Sequence, residues 1–171
     1  VAREFSALPP NFTTLDALSG TDALCLFVGA DERPLERVAG LVDWRLCGAL
    51  SRVLRQRFFV GAAGDWLLVP TGGRLPPSRV FCVGLGPRDA LAPSVVAGAL
   101  RTAAAVLTRA GVESVALEIP GDRRVADADR ARALVGDFLP SFGGNRVAVL
   151  AEPSLAMLLG ATPALPQAAG R

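Results

Sequence analysis

The chain has 171 residues, of which 51% are hydrophobic, and a formal net charge of +2. That length suits one domain able to bury roughly 70% of the surface its unfolded form exposes, so no disulfide or metal staple is required. The charge is too close to neutral to draw nucleic acid or anionic lipid, and the longest uncharged apolar run, residues 23–30, falls short of the roughly 20 residues that span a bilayer.

Residues 1–11 show little periodicity and end in Pro9, Pro10 and Asn11, which predicts an irregular lead-in. They lack the basic-then-apolar pattern of a secretory signal, so a cytoplasmic protein is expected. Residues 12–15 read as a short first strand. Residues 23–28 are apolar without interruption and stop at Gly29, the pattern of a strand covered on both faces in a sheet interior. Asp31, Glu32, Arg33 and Pro34 mark an exposed connection. Over residues 41–57, Leu46, Ala49, Leu50, Val53 and Leu54 make one helical stripe, with Arg45 and Arg52 on a solvated opposite side. Phe58, Phe59 and Val60 leave that helix. Residues 66–69 predict a strand ending at Pro70, and the following TGGRLPPS is a turn by composition that makes this strand and the next antiparallel neighbours.

Residues 79–119 settle the fold class as α/β. Val80, Phe81, Cys82 and Val83 predict a central strand, broken by Gly84 and Gly86. Pro93 and Ser94 open a helix, with Ser94 placed to cap it, and Val96, Ala99, Leu100, Ala103, Val106, Leu107 and Ala110 recur at three- and four-residue steps. Gly111 closes the helix, and Val115, Leu117 and Ile119 supply the next strand, giving a βαβ unit expected to be right-handed. Pro120, Gly121 and Asp122 then turn the chain into a helix over residues 126–139, with Ala131, Leu134, Val135 and Phe138 on one face. Gly143 and Gly144 break the chain again before a last strand with Val147, Val149 and Leu150. A closing helix over 153–159 starts at a proline. Residues 160–171, rich in Ala and Pro, are expected to form a flexible tail, leaving one α/β domain over residues 12–159 with no internal repeat.

The three cysteines, Cys25, Cys47 and Cys82, are odd in number and widely spaced, and read as small apolar core residues rather than bridges. All 18 basic residues are arginine and histidine is absent. The Ser-His-Asp and Cys-His arrangements, mixed Cys/His zinc sites and lysine nucleophiles are thereby excluded. Among carboxylates, Asp127 and Asp129 stand two apart, which turns them away from each other on a helix. Glu32 and Glu36 are flanked by Arg33 and Arg37, where local charge pairing is the simpler account. No catalytic or metal-ligating residue is therefore assigned. The ligand-binding candidates are the glycine turn Gly84, Leu85 and Gly86, whose backbone N–H groups could approach a phosphate, and the second glycine pair, Gly143 and Gly144, with Arg146 beside it. Position 89 is Asp where a dinucleotide fingerprint has its third glycine, and Pro87 removes a donor, so a tight turn for strand exit is the preferred reading of the first.

The segments FFVGAAGDWLLVP, RVFCVGLG, ALRTAAAVLTRAG and SVALEIP, in that order after a helix, resemble the N-terminal domain of the leucyl (cytosol) aminopeptidases. LVGDFLPSF at residues 134–142 is similar to the segment that closes that domain, and the resemblance covers residues 12–150. It implies a three-layer αβα macro-like domain with a mixed, mostly parallel central sheet. In the family, the two metal ions and the catalytic lysine and arginine belong to a larger C-terminal domain, so the resemblance carries no catalytic residue, metal or cofactor onto this chain. In relatives the N-terminal domain helps shape the oligomer and modulates the catalytic part, some bacterial members bind DNA, and macro-like folds elsewhere bind ADP-ribose.

The expected function is a non-catalytic protein-interaction, oligomerisation or regulatory module whose partner is another protein or a second copy. The alternatives are an ADP-ribose or nucleotide binder using the glycine loops at the sheet ends, or the N-terminal fragment of a leucyl aminopeptidase. Near-neutral charge disfavours DNA, and no membrane association is expected.

Overall fold

The computed structural model describes residues 3–161. Among these residues six strands form one sheet: β1 (Glu4–Leu8), β2 (Ala23–Gly29), β3 (Trp66–Pro70), β4 (Arg79–Gly86), β5 (Ser114–Leu117) and β6 (Arg146–Leu150), in the order β1-β6-β5-β2-β4-β3. Only β3 runs antiparallel, against β4, as the short turn between them predicts. The other pairings are parallel. Helices α1 (Phe12–Asp16), α2 (Arg37–Arg45) and α3 (Ala49–Arg55) cover one face, and α4 (Pro93–Arg109), α5 (Asp127–Ala133) and α6 (Pro153–Gly160) the other.

The strand pleat assigns the two cores. Leu24, Leu26, Val28, Val80 and Cys82 pack under α1 to α3, while Cys25, Phe27, Phe81 and Val83 pack under α4 to α6. Alternate side chains of β2 and β4 thus serve opposite layers, which explains why the interior of neither strand contains a polar residue.

The structure departs from the sequence expectations at several places, each with a local cause. The expected irregular lead-in contains β1, whose partner β6 lies 142 positions further on, Glu4 standing beside Arg146. Residues 12–15 are helical rather than extended, because the Asn11 side chain accepts a hydrogen bond from the Thr14 N–H at 2.8 Å and caps α1. The single helix expected over 41–57 is two helices. Cys47 and Gly48 both adopt left-handed φ, 54° and 75°, and turn α3 away from α2. Cys47 is thereby exposed and is no core residue.

Arg45 is not simply solvated: it pairs with Asp16 at 2.6 Å and lies 4.5 Å from the centre of the Phe12 ring. Arg52 donates to the Cys47 carbonyl at 2.8 Å. Ser94 does not cap α4, since Ala92 is the N-cap and Pro93 occupies the first helical turn. The predicted strand through Ile119 stops at Leu117. β4 and β5 are parallel but not adjacent, because β2 lies between them and the α4 crossover spans it. The helix predicted over 126–139 is α5 followed by a π turn, Leu134–Phe138, in which the Leu139 N–H bonds to the Leu134 carbonyl. The expected tail loses Gly160 to α6, and from residue 162 it lies outside the described residues.

Candidate functional site

The two predicted glycine sites lie at opposite ends of the sheet. Gly84 and Gly86 close β4 at the C-terminal ends of the parallel strands, whereas Gly143 and Gly144 precede β6 at the N-terminal ends. They cannot serve one ligand.

Three of their backbone donors, the N–H groups of Gly84, Gly86 and Gly143, are also engaged internally. The Gly84 N–H bonds to the Asp65 carbonyl at 2.8 Å and the Gly86 N–H to the Gly61 carbonyl at 2.9 Å, so residues 61–65 lie across the end of β4. A Cβ on Gly84 would stand 1.9 Å from the Ala62 carbonyl oxygen, which is the packing reason for glycine there. The Leu85 side chain is in the core. At the other end, the Gly143 N–H bonds to the Thr108 hydroxyl at 2.9 Å, and Gly144 offers its carbonyl to Arg3 at 3.1 Å. Arg146 pairs with Glu4 at 2.9 Å and also donates to the Gly20 carbonyl. A shallow depression of about 600 Å³ remains there, lined by Arg3, Glu113, Gly143, Gly144 and Asn145.

A second place is set by topology. β2 and β5 are neighbours, yet β2 leads to α2 on one face and β5 to α5 on the other. Where consecutive connections part in this way, a crevice opens beyond the C-terminal strand ends. Here it encloses about 490 Å³ and is walled by Arg37, Glu118, Arg123, Asp127, Arg130 and Ser154. Arg37, the first residue of α2, has a left-handed φ of 47°, a strained conformation for a side-chain-bearing residue. Its Nε donates to Glu118 Oε1 at 3.0 Å and so bridges the two partings of the chain.

Arg130 is 8% exposed and organises the far wall. It donates to the Pro120 carbonyl at 3.2 Å, the Ile119 carbonyl at 2.6 Å and Asp127 at 2.8 Å. Asp127 in turn accepts from the Ser154 hydroxyl at 2.7 Å, which ties α5 to α6. Burial pushes the Glu118 carboxyl up, against the opposing pull of Arg37 and Arg130. Asp127 is held below its ordinary range, first by Ser154 and then by Arg130. Arg123 is exposed on the rim and forms no ion pair with any described residue.

The crevice therefore sets the guanidinium groups of Arg37, Arg123 and Arg130 beside the carboxylates of Glu118, Asp127 and Glu152, three charges of each sign, with Arg37 paired to Glu118 and Arg130 to Asp127. Among the described residues no three of His, Cys, Asp or Glu are placed to hold a metal ion. Asp127 and Asp129 engage different arginines, Arg130 and Arg132. The expected pairing of Glu32 and Glu36 with their flanking arginines does not form. Glu32 is buried and accepts from the Gly29 and Glu36 N–H groups, while Glu36 pairs with Arg88 at 3.1 Å. Sequence reasoning missed Arg37, Glu118, Arg123 and Arg130, because only the strand order shows that the segments after β2 and β5 meet. No helix among the described residues is long and apolar enough to cross a membrane.

Comparison with known proteins places this architecture. The model of the N-terminal domain of the cytosol aminopeptidase family matches residues 24–140. A probable cytosol aminopeptidase of Syntrophotalea carbinolica is 41% identical over 66 residues, which cover 39% of this chain and 13% of that protein. A tomato leucine aminopeptidase mutant superposes with a TM-score of 0.64 at 17% identity, over 93% of this chain and 35% of its own. A Trypanosoma brucei macrodomain in complex with ADP gives a TM-score of 0.71 at 16% identity, over 92% of this chain and 67% of its own. The fold is thus macro-like, and the matched part of the chain spans about an eighth of the length of the curated relative.

Proposed function

Because the chain belongs to the cytosol aminopeptidase family, through that family's N-terminal domain, we propose that it acts as a non-catalytic contact module in the cytoplasm, binding another protein or a second copy of itself. The observation that carries this reading is the placement of its two tryptophans. Trp44 is 67% exposed and Trp66 is 47% exposed. An indole ring is a large apolar surface that folding normally removes from water, and tryptophan is enriched where proteins meet. Neither ring contributes to the cores beneath the helices. The family match is consistent with the same reading, since residues 24–140 match the N-terminal domain of that family. Light scattering across a concentration series, together with co-purification from a source lysate, tests it. A chain that stays monomeric and retains nothing would overturn the proposal, as would metal-dependent hydrolysis of leucyl substrates by this chain alone.

A second reading, binding of ADP-ribose or a related nucleotide, is favoured by Arg123, which is exposed beside Arg37 and Arg130 at the switch crevice and pairs with no carboxylate among the described residues. This sets the nucleotide alternative apart from the glycine turns, where the Gly84, Gly86 and Gly143 N–H groups are already bonded. A ligand at 100 times its Kd stabilises the folded state by about 2.7 kcal/mol. Millimolar ADP-ribose, AMP or NAD should raise the melting temperature, and Arg123→Ala should reduce the rise; absence of any shift removes this reading.

A further inference from the structure

We infer that β3 is a self-pairing edge, through which two copies of the chain join their sheets about a two-fold axis at Leu67. The inference rests on the contact role proposed above and names its occupant.

β3 closes the sheet order, with β4 on one side and no strand of the described residues on the other. Such an edge is normally blunted by charge, because unpaired main-chain groups invite another strand. The opposite edge follows that rule: β1 carries Glu4, paired across to Arg146. β3, Trp66–Pro70, contains no charged residue. Its inward side chains, Leu67 and Val69, pack with the core under α1 to α3. Trp66 and Leu68 stand on the other face, opposite Val83 and Phe81 of β4, and Leu68 is 42% exposed. The face beside the open edge is therefore apolar as well.

The main chain determines the register. The Asp65 carbonyl and the Thr71 N–H both bond across towards β4 or its approach, at 2.8 and 3.0 Å. Alternation then turns the N–H and C=O groups of Trp66 and Leu68 outward, together with Pro70, which has no N–H to give. An antiparallel pairing centred on Leu67 sets Trp66 against Leu68 of the second copy and Leu68 against its Trp66. Every outward donor of that pair finds a carbonyl, and Pro70 falls outside the ladder, opposite Gly64, which has open space around it. Leu67 faces its own twin, and Asp65 faces Val69 rather than another carboxylate. The strand is thus complementary to itself in shape, in hydrogen bonding and in its lack of charge, the requirement for an isologous contact.

Light scattering should give a molar mass approaching twice 17.7 kDa as concentration rises. Leu68→Lys, which sets an ammonium group on the open face, should return the monomer mass with an unchanged circular dichroism spectrum. As a check independent of that variant's folding, Leu67→Cys in a Cys47→Ser background should form an intermolecular disulfide on oxidation, and Val69→Cys in the same background should not. A wild-type monomer at all concentrations, or a dimer indifferent to Leu68→Lys with no cross-link in the Leu67→Cys variant, overturns the inference. In these experiments a monomer that still retains another protein overturns the self-pairing edge and leaves the contact role standing, so the two failures are distinguishable.

Discussion

Arg37 and Glu118 meet at 3.0 Å across the crevice between β2 and β5, joining the start of a helix on one face of the sheet to the strand exit that leads to the other. The carboxylate is largely buried, with 13% of its side chain exposed, and burial outweighs the arginine in setting its affinity for a proton. Its folded pKa therefore lies above the ordinary value of 4.5. A group shifted in that direction contributes stability below its unfolded pKa and loses it as pH rises through the folded value. Glu118→Gln, neutral at every pH, should melt higher than wild type at pH 7, and the two should converge below about pH 4.5. A variant that melts lower at pH 7 would show that the ion pair, not desolvation, governs this position.

Asp127 has the opposite sign. Its folded pKa is below the ordinary 3.8, held there first by the Ser154 hydroxyl and then by Arg130. The stability it contributes is present above pH 3.8 and disappears as pH falls through the folded value. Ser154→Ala should therefore lower the melting temperature at pH 7, and the difference from wild type should shrink as pH falls below 3.8. A constant offset at all pH values would assign the effect to helix packing.

Arg130 donates to the Ile119 and Pro120 carbonyls from a buried position. Its removal leaves both acceptors without that partner, and a hydrogen bond to a charged group contributes about 1.5–3 kcal/mol. Arg130→Ala should cost about 3 kcal/mol, read from the denaturant midpoint at constant slope, with Arg130→Lys intermediate because one ammonium cannot span the same fork.

Gly84 and Gly64 separate two reasons for glycine. A methyl at Gly84 would collide with the Ala62 backbone at 1.9 Å, whereas Gly64 has a left-handed φ of 85° in open space. Gly84→Ala should cost at least about 3 kcal/mol from overpacking, and Gly64→Ala about 1 kcal/mol from backbone conformation alone. Chemical denaturation of the two variants checks the ranking.

The thiols divide by layer. Cys25 and Cys82 lie in β2 and β4, and burial pushes both up, Cys82 to about 12. Cys47 is exposed at the left-handed turn between α2 and α3. A thiolate-selective reagent should titrate one of the three cysteines in the native chain and all three after denaturation. Rapid native labelling of more than one would mean that the sheet opens.

Local periodicity makes much of this fold readable. The unbroken apolar runs of β2 and β4 can be satisfied only by cover on two faces, and the three- and four-residue steps of α4 only by a helix lying on a sheet. The hairpin of β3 and β4 follows from the turn between them. The break at Cys47 and Gly48 is hidden because the apolar stripe from Leu46 to Leu54 keeps helical spacing straight through it. β1 is illegible for another reason: among its five residues only Phe5 is fully buried, and its identity as a strand comes from β6.

By itself the amino-acid order determined which segments are strands in the sheet interior, which helix crosses between β4 and β5, and that histidine and lysine chemistry is excluded, because each is a property of composition or of neighbours a few residues apart. Tertiary structure alone decided that the two glycine pairs lie at opposite ends, that β2 separates β4 from β5, and that Arg37 reaches Glu118. Those relations depend on the order and direction of strands, which arise from closing contacts between residues far apart in the chain, and no local pattern encodes them.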